Sequence, residues 1–114
     1  MRDCIFCKIV NKELPSTCVY EDEYVYAFHD IYPQAPIHIV VIPKEHIVSA
    51  ADFTSENSHL AAKCFEAIAK VAKSQGLEDG YRVITNIGKD GGQTVFHTHF
   101  HILGGRKFGN LAPS

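Results

Sequence analysis

The chain of 114 residues has no apolar run approaching the roughly 18 residues that a membrane-crossing helix needs. It has no excess of either charge. A formal net charge of −2, with acidic and basic residues interspersed, offers neither a broad basic stripe for nucleic acid nor a polybasic anchor for a membrane surface. The opening Met1-Arg2-Asp3-Cys4-Ile5-Phe6-Cys7-Lys8 carries charge too early, and its apolar stretch is too short, to read as a secretory signal. Cysteine is sparse, at four, and without a leader an oxidising compartment is not expected. Two structural disulfides are therefore not expected, and a cytoplasmic protein is. Internal repeats, linkers and low-complexity tracts are also absent. A chain this short, 46% hydrophobic and 21% charged, suits one globular domain over residues 1–114 with a single compact core.

Periodicity predicts the elements. Ile5, Phe6, Ile9 and Val10 make one apolar helical face over residues 5–11, ended by Pro15. Residues 17–20 and 24–29, rich in β-branched and aromatic side chains and joined through Glu21-Asp22-Glu23, read as a hairpin. Pro33 and Pro36 make residues 31–36 a loop. Ile37 to Ile42 is an apolar strand interrupted only by His38. From about Thr54 to Gln75, Leu60, Cys64, Phe65, Ile68, Val71 and Ala72 repeat at helical spacing. Lys63, Glu66, Lys70, Lys73 and His59 belong to the wet side. Thr54 or Ser55 is the expected cap, and Gly76 the expected stop. Residues 81–87 form a further strand. Hairpin-joined strands with helices inserted between them predict an antiparallel α+β domain. Cys18 and Cys64 read as small packed hydrophobes.

The chemistry concentrates in His97-Thr98-His99-Phe100-His101-Ile102-Leu103. In an extended strand the side chains alternate faces at a rise of about 3.3 Å, which puts three imidazoles on one face roughly 6.5 Å apart and Thr98, Phe100 and Ile102 on the other. Burying imidazoles without partners is costly, so three in strict alternation point to use as base, nucleophile or ligand. A solvated His-rich edge is the bland alternative. Just before them, Gly88-Lys89-Asp90-Gly91-Gly92-Gln93-Thr94 carries three glycines that let backbone N–H groups approach an anion. By itself that loop reads equally well as a tight turn. It is not a Walker A loop, since no Gly-Lys-Ser/Thr ends it.

His97 to Leu103 follows the pattern His, apolar, His, apolar, His, apolar, apolar, with Thr98 the one weakly polar filler. Together with Phe28-His29-Asp30-Ile31, Pro33-Gln34-Ala35-Pro36-Ile37-His38, Val41-Ile42-Pro43-Lys44-Glu45-His46, Asn86 and Gly91-Gly92-Gln93-Thr94, it makes nearly the whole chain resemble the histidine triad (HIT) family, Hint branch. The resemblance implies a five-stranded antiparallel sheet with one short N-terminal and one long helix. It also implies a homodimer whose sheets join into ten strands. The implied activity is cleavage of purine nucleoside phosphoramidates through a covalent nucleotidyl-His99 intermediate. His101 and His38 would polarise the phosphate and position the nucleophile, and Thr94, at a position usually serine, would contact the leaving group. Ile5, Phe6, Ile9 and Phe28 match the purine wall, and His29, Asp30 and Ile31 the ribose segment. Asn86, Gly92, Gln93 and Val95 match the surroundings of the phosphate. No catalytic metal is required.

The resemblance also gives Cys4-x-x-Cys7 a purpose, since bacterial-type relatives that keep both cysteines carry a structural zinc. With His46 and His97 they would complete a Cys2His2 tetrahedron. The H-x3–5-H half of the usual spacing is missing, so the four would meet only through tertiary folding. Two other functions are compatible with the chain: dinucleoside polyphosphate hydrolysis, and a zinc-stabilised nucleotide-binding module with little turnover. The tail departs from the branch. After Gly104-Gly105-Arg106, relatives often continue into a His-Trp-Pro-containing segment, whereas this chain continues as Lys107-Phe108-Gly109-Asn110.

Overall fold

The computed structural model describes residues 3–110. Helix α1 (Ile5–Val10) precedes strands β1 (Cys18–Glu21), β2 (Val25–His29) and β3 (Ile37–Pro43). A 3-10 turn (Ala50–Asp52), helix α2 (Ser58–Ser74), β4 (Arg82–Ile84) and β5 (Phe100–Gly104) follow. All five strands join one sheet in the order β1-β2-β3-β5-β4, every pairing antiparallel. The last strand thus slots between β3 and β4. That insertion brings His101 opposite Val40 and His38 opposite Leu103.

Strand alternation divides the sheet into two faces with different tasks. Val25, Ala27, Ile39, Val41, Phe100 and Ile102 pack under α2, against Cys64, Ala67, Ile68, Val71 and Ala72. Tyr26, Phe28, Val40 and Ile42 point the other way and pack with Ile9 of α1. His101 and His38 belong to this second face, as their register requires. Helix α2 closes in a Schellman arrangement: Leu77 N–H reaches Ala72 O at 3.0 Å, Gly76 N–H reaches Lys73 O at 3.1 Å, and Gly76 takes φ +75°.

Several boundaries differ from the sequence expectation. Helix α2 starts at Ser58, not Thr54, because the Thr54 carbonyl and amide build a turn with Asn57 and Ser58 ahead of it. Asn57, the residue at the cap position, turns its side chain to Thr54 N–H and Asp52 O and makes no cap. Phe65 is exposed, resting edge-on against Phe100 at 5.2 Å. Cys18 is exposed at the start of β1, so it is not a packed hydrophobe, whereas Cys64 is fully buried. His59 lies on the wet side.

The predicted histidine strand begins only at Phe100. Thr98 is drawn aside by Ile47, whose carbonyl accepts from both the Thr98 amide (2.6 Å) and hydroxyl (2.8 Å). Thr85 then uses its hydroxyl to reach His99 O at 2.8 Å. These side-chain bonds stand in for ladder bonds, and β4 correspondingly spans three residues where seven were expected.

Candidate active site

The backbone fixes the protonation pattern of each histidine, because a carbonyl only accepts and an amide only donates. His99 Nδ1 lies 2.8 Å from His97 O, so Nδ1 carries the proton. Its Nε2 is left with a free lone pair. His38 Nδ1 accepts from Gln34 N–H at 3.0 Å, so His38 Nε2 carries the hydrogen and donates it to His101 Nδ1 at 2.9 Å. His101 is thereby left with its N–H at Nε2. The row presents one lone pair and one donor, side by side, on rings 5.0 Å apart.

Burial keeps these rings neutral. It pushes His101 down to about 4, with the neighbouring His99 and His38 adding to the effect. His99 is lowered for the same reason, against the pull of His97 O and Asp30. In His38 desolvation again dominates, offset in part by Asp30, whose Oδ2 is 3.4 Å from His38 Nε2. Asp30 was expected beside a ribose. It also flanks the imidazole relay, with its Oδ1 held by Tyr32 N–H at 2.8 Å.

In front of the rings opens a cavity of about 390 Å³, lined at one end by His99, His101, Thr94 and Val95. The wall continues over His29, Asp30 and Ile31 to the apolar side chains of Ile5, Phe6, Ile9 and Phe28. Phe6 stands edge-on to Phe28 at 5.6 Å and to His99 at 5.1 Å. The volume and the mixture of apolar wall with few polar groups suit a small-molecule ligand. Leu14, Pro15, Ser16 and Val40 also line it. The first three are loop residues without periodicity, and sequence reasoning passed over them.

Three predicted contacts lie elsewhere. Asn86, Gly92 and Gln93 are outside the cavity lining, and His38 stands behind His101. Gln93 is buried and cross-links its own loop: Nε2 donates to Val48 O (2.6 Å) and Val95 O (3.1 Å), and Oε1 accepts from Gly88 N–H (2.9 Å). Its service is to the shape of the glycine loop.

Below the triad, folding assembles the second predicted set. The ligand atoms of Cys4, Cys7, His46 and His97 all lie within 4.8 Å of one another. Cys4 Sγ and Cys7 Sγ are 3.3 and 3.6 Å from His97 Nδ1, and Cys7 Sγ is 3.3 Å from His46 Nδ1. Zinc bonds of about 2.3 Å to sulfur and 2.0–2.1 Å to nitrogen imply tetrahedral S···N edges of about 3.6 Å, so the four atoms fit that ion. His97 Nε2 donates to Pro43 O at 2.8 Å, which aims the Nδ1 lone pair at the centre of the set. Burial drives His97 down to about 4, the neutral state a ligand needs.

Comparison with known proteins agrees with this architecture. The HIT domain profile matches residues 11–108. The chain belongs to the HIT family. A solved HIT family hydrolase from Clostridium thermocellum superposes with a TM-score of 0.95 at 47% identity, covering 97% of each chain. A histidine triad protein from Clostridium difficile gives 0.94 at 49% identity, again over 97% of both chains. Among curated relatives, the purine nucleoside phosphoramidase of Escherichia coli is 45% identical over 110 residues, 96% of this HIT protein and 92% of the relative. No helix among the described residues is long and apolar enough to cross a membrane.

Proposed function

We propose that this HIT protein hydrolyses purine nucleoside phosphoramidates, releasing a nucleoside monophosphate and an amine. The observation that carries the reading is the His99 tautomer: Nδ1–H is tied to His97 O, leaving Nε2 as an unprotonated nucleophile at the wall of the cavity. The name of the Escherichia coli relative supports the substrate class.

His99 Nε2 attacks phosphorus in line. The new P–N bond to the ring forms as the P–N bond to the amine breaks, and the departing nitrogen takes a proton from solvent water, relayed through the Thr94 hydroxyl. Positive charge developing on the His99 ring is stabilised by His97 O, and negative charge on the phosphoryl oxygens by the His101 N–H. Water then cleaves the nucleotidyl-histidine, splitting one hard displacement into two. The purine sits among Ile5, Phe6, Ile9 and Phe28, with the ribose beside Asp30. The Cys4-Cys7-His46-His97 set would hold zinc, which supplies a structural cross-link and enters no step.

Replacing His99 with Ala should lower phosphoramidate turnover at least about a thousandfold with the fold intact. The decisive companion is a rapid quench in alkali, which preserves P–N bonds. Labelled nucleotide should be trapped on the unaltered protein and not on the variant. Undiminished turnover by the Ala variant overturns the reading.

A symmetric homodimer belongs to the same proposal. The edge strand β4 would meet its counterpart to make ten strands, a pairing supported by its place at the end of the sheet and by the exposed Phe65, Tyr81 and Ile87 nearby in sequence or packing.

A further inference from the structure

Helix α1 cannot hold its own position. At six residues it is well short of the roughly 12 below which an isolated helix is marginal in water, and Ile9 is its one buried residue. Two separate sets of contacts secure it. On one side Cys4 caps the helix by accepting from Cys7 N–H at 3.3 Å, and the two thiols reach His97 and His46 at 3.3 Å each. On the other, Phe6 and Ile9 pack with Phe28 and Val40 and form the apolar wall of the cavity. The Phe6 ring is shared between the two, edge-on to His97 at 6.0 Å and to His99 at 5.1 Å.

We infer that a metal ion in the thiol-imidazole cluster and a nucleotide in the cavity bind cooperatively through α1, with Cys4, Cys7 and His46 as positioning residues for the base-binding wall. The inference rests on the nucleotide reading above. Whichever ligand arrives first bears the cost of ordering the short helix, and the second meets a wall already in place. The coupling is reciprocal by thermodynamic necessity. It acts chiefly on binding, because the backbone that carries the nucleophile has ties of its own outside α1. The stretch from His97 to His99 is tied to Pro43 O, Ile47 O and Thr85, and α1 meets it only through side chains, Cys7 Sγ at the His97 ring and Phe6 edge-on to the His97 and His99 rings.

The test uses the full chain purified with its metal, then stripped by a chelator and reloaded with Zn2+. Calorimetric titration with adenosine monophosphate should show affinity about tenfold weaker in the stripped protein and restored on reloading. Zn2+ affinity should rise by the same factor when adenosine monophosphate is present. In turnover assays stripping should raise KM while kcat stays within about twofold, and the Cys4→Ser/Cys7→Ser pair should behave as the stripped protein does. Unchanged nucleotide affinity overturns the inference, as does a fall in kcat at constant affinity, or purified protein without metal. Global unfolding on stripping, seen by far-UV circular dichroism, also overturns it, since the metal would then serve the entire fold. A metal-loaded protein that ignores adenosine monophosphate defeats the nucleotide reading itself, a distinguishable result.

Discussion

At the scale of single residues, the site is a matter of which nitrogen carries the proton. His99 and His101 are the same side chain two positions apart, yet one is bound to a carbonyl and the other to an imidazole, and they emerge with opposite properties at the cavity. A stability consequence follows for His101. Its value falls from 6.5 to about 4 on burial, so between those limits the unfolded chain binds the proton and the folded chain does not. Stability therefore rises with pH across this window: the contribution is complete above about 6.5 and is lost progressively as pH drops toward 4. Thermal unfolding followed from pH 7.5 to 4 should show a falling midpoint, and His101→Gln should flatten that fall. The candidate nucleophile was legible as the centre of an alternating trio. Its tautomer was not, because His97 O and Gln34 N–H are backbone groups whose positions no side-chain pattern reports.

At the scale of elements, the glycine loop depends on one buried amide. Gln93 ties Val48, Gly88 and Val95 together, and a Cβ on the neighbouring Gly91 would overlap the Ile87 carbonyl oxygen. Gln93→Ala strands these backbone groups and should cost about 1–3 kcal/mol in urea unfolding, with a loss of turnover as Thr94 and Val95 drift. Gln93→Glu, which sets a carboxylate oxygen against the Val48 and Val95 carbonyls in place of the donor, should cost at least as much as the alanine. Helices and strands were legible from spacing, since α2 buries Leu60, Cys64, Ile68, Val71 and Ala72 as the pattern requires, with Ala67 buried in place of the expected Phe65. Their ends were less so. Thr98 has the alternation of a strand residue, but the Ile47 carbonyl, fifty-one positions away, takes both its donors. A partner that distant leaves no mark on local periodicity.

At the scale of the whole molecule, one sheet separates packing from chemistry, and each edge of that sheet has its own fate. β1 shifts register against β2 between Cys18 and Tyr20, the kind of irregularity that blunts an edge. β4 pairs regularly with β5 on one side and is the edge proposed to meet a second copy. Sedimentation velocity should return twice the chain mass of 12.7 kDa, and Phe65→Arg together with Tyr81→Arg should shift it to the single-chain value with the circular dichroism spectrum retained. A monomer before any substitution removes the dimer proposal and leaves the cavity of the single chain unaffected.

The sequence by itself determined the face each side chain would take within its element, because alternation and helical spacing are properties of neighbouring residues. It also determined the residue types available for chemistry: three imidazoles in a row, a pair of thiols and a glycine loop. Only the tertiary structure decided that His38 would back His101, that Asp30 would flank both, and that Cys4 and Cys7 would meet His46 and His97. Those meetings follow from β5 entering the sheet beside β3 and from α1 lying across the opposite face. Such long-range closures are set by burial of the whole apolar surface and not by any local run of residues.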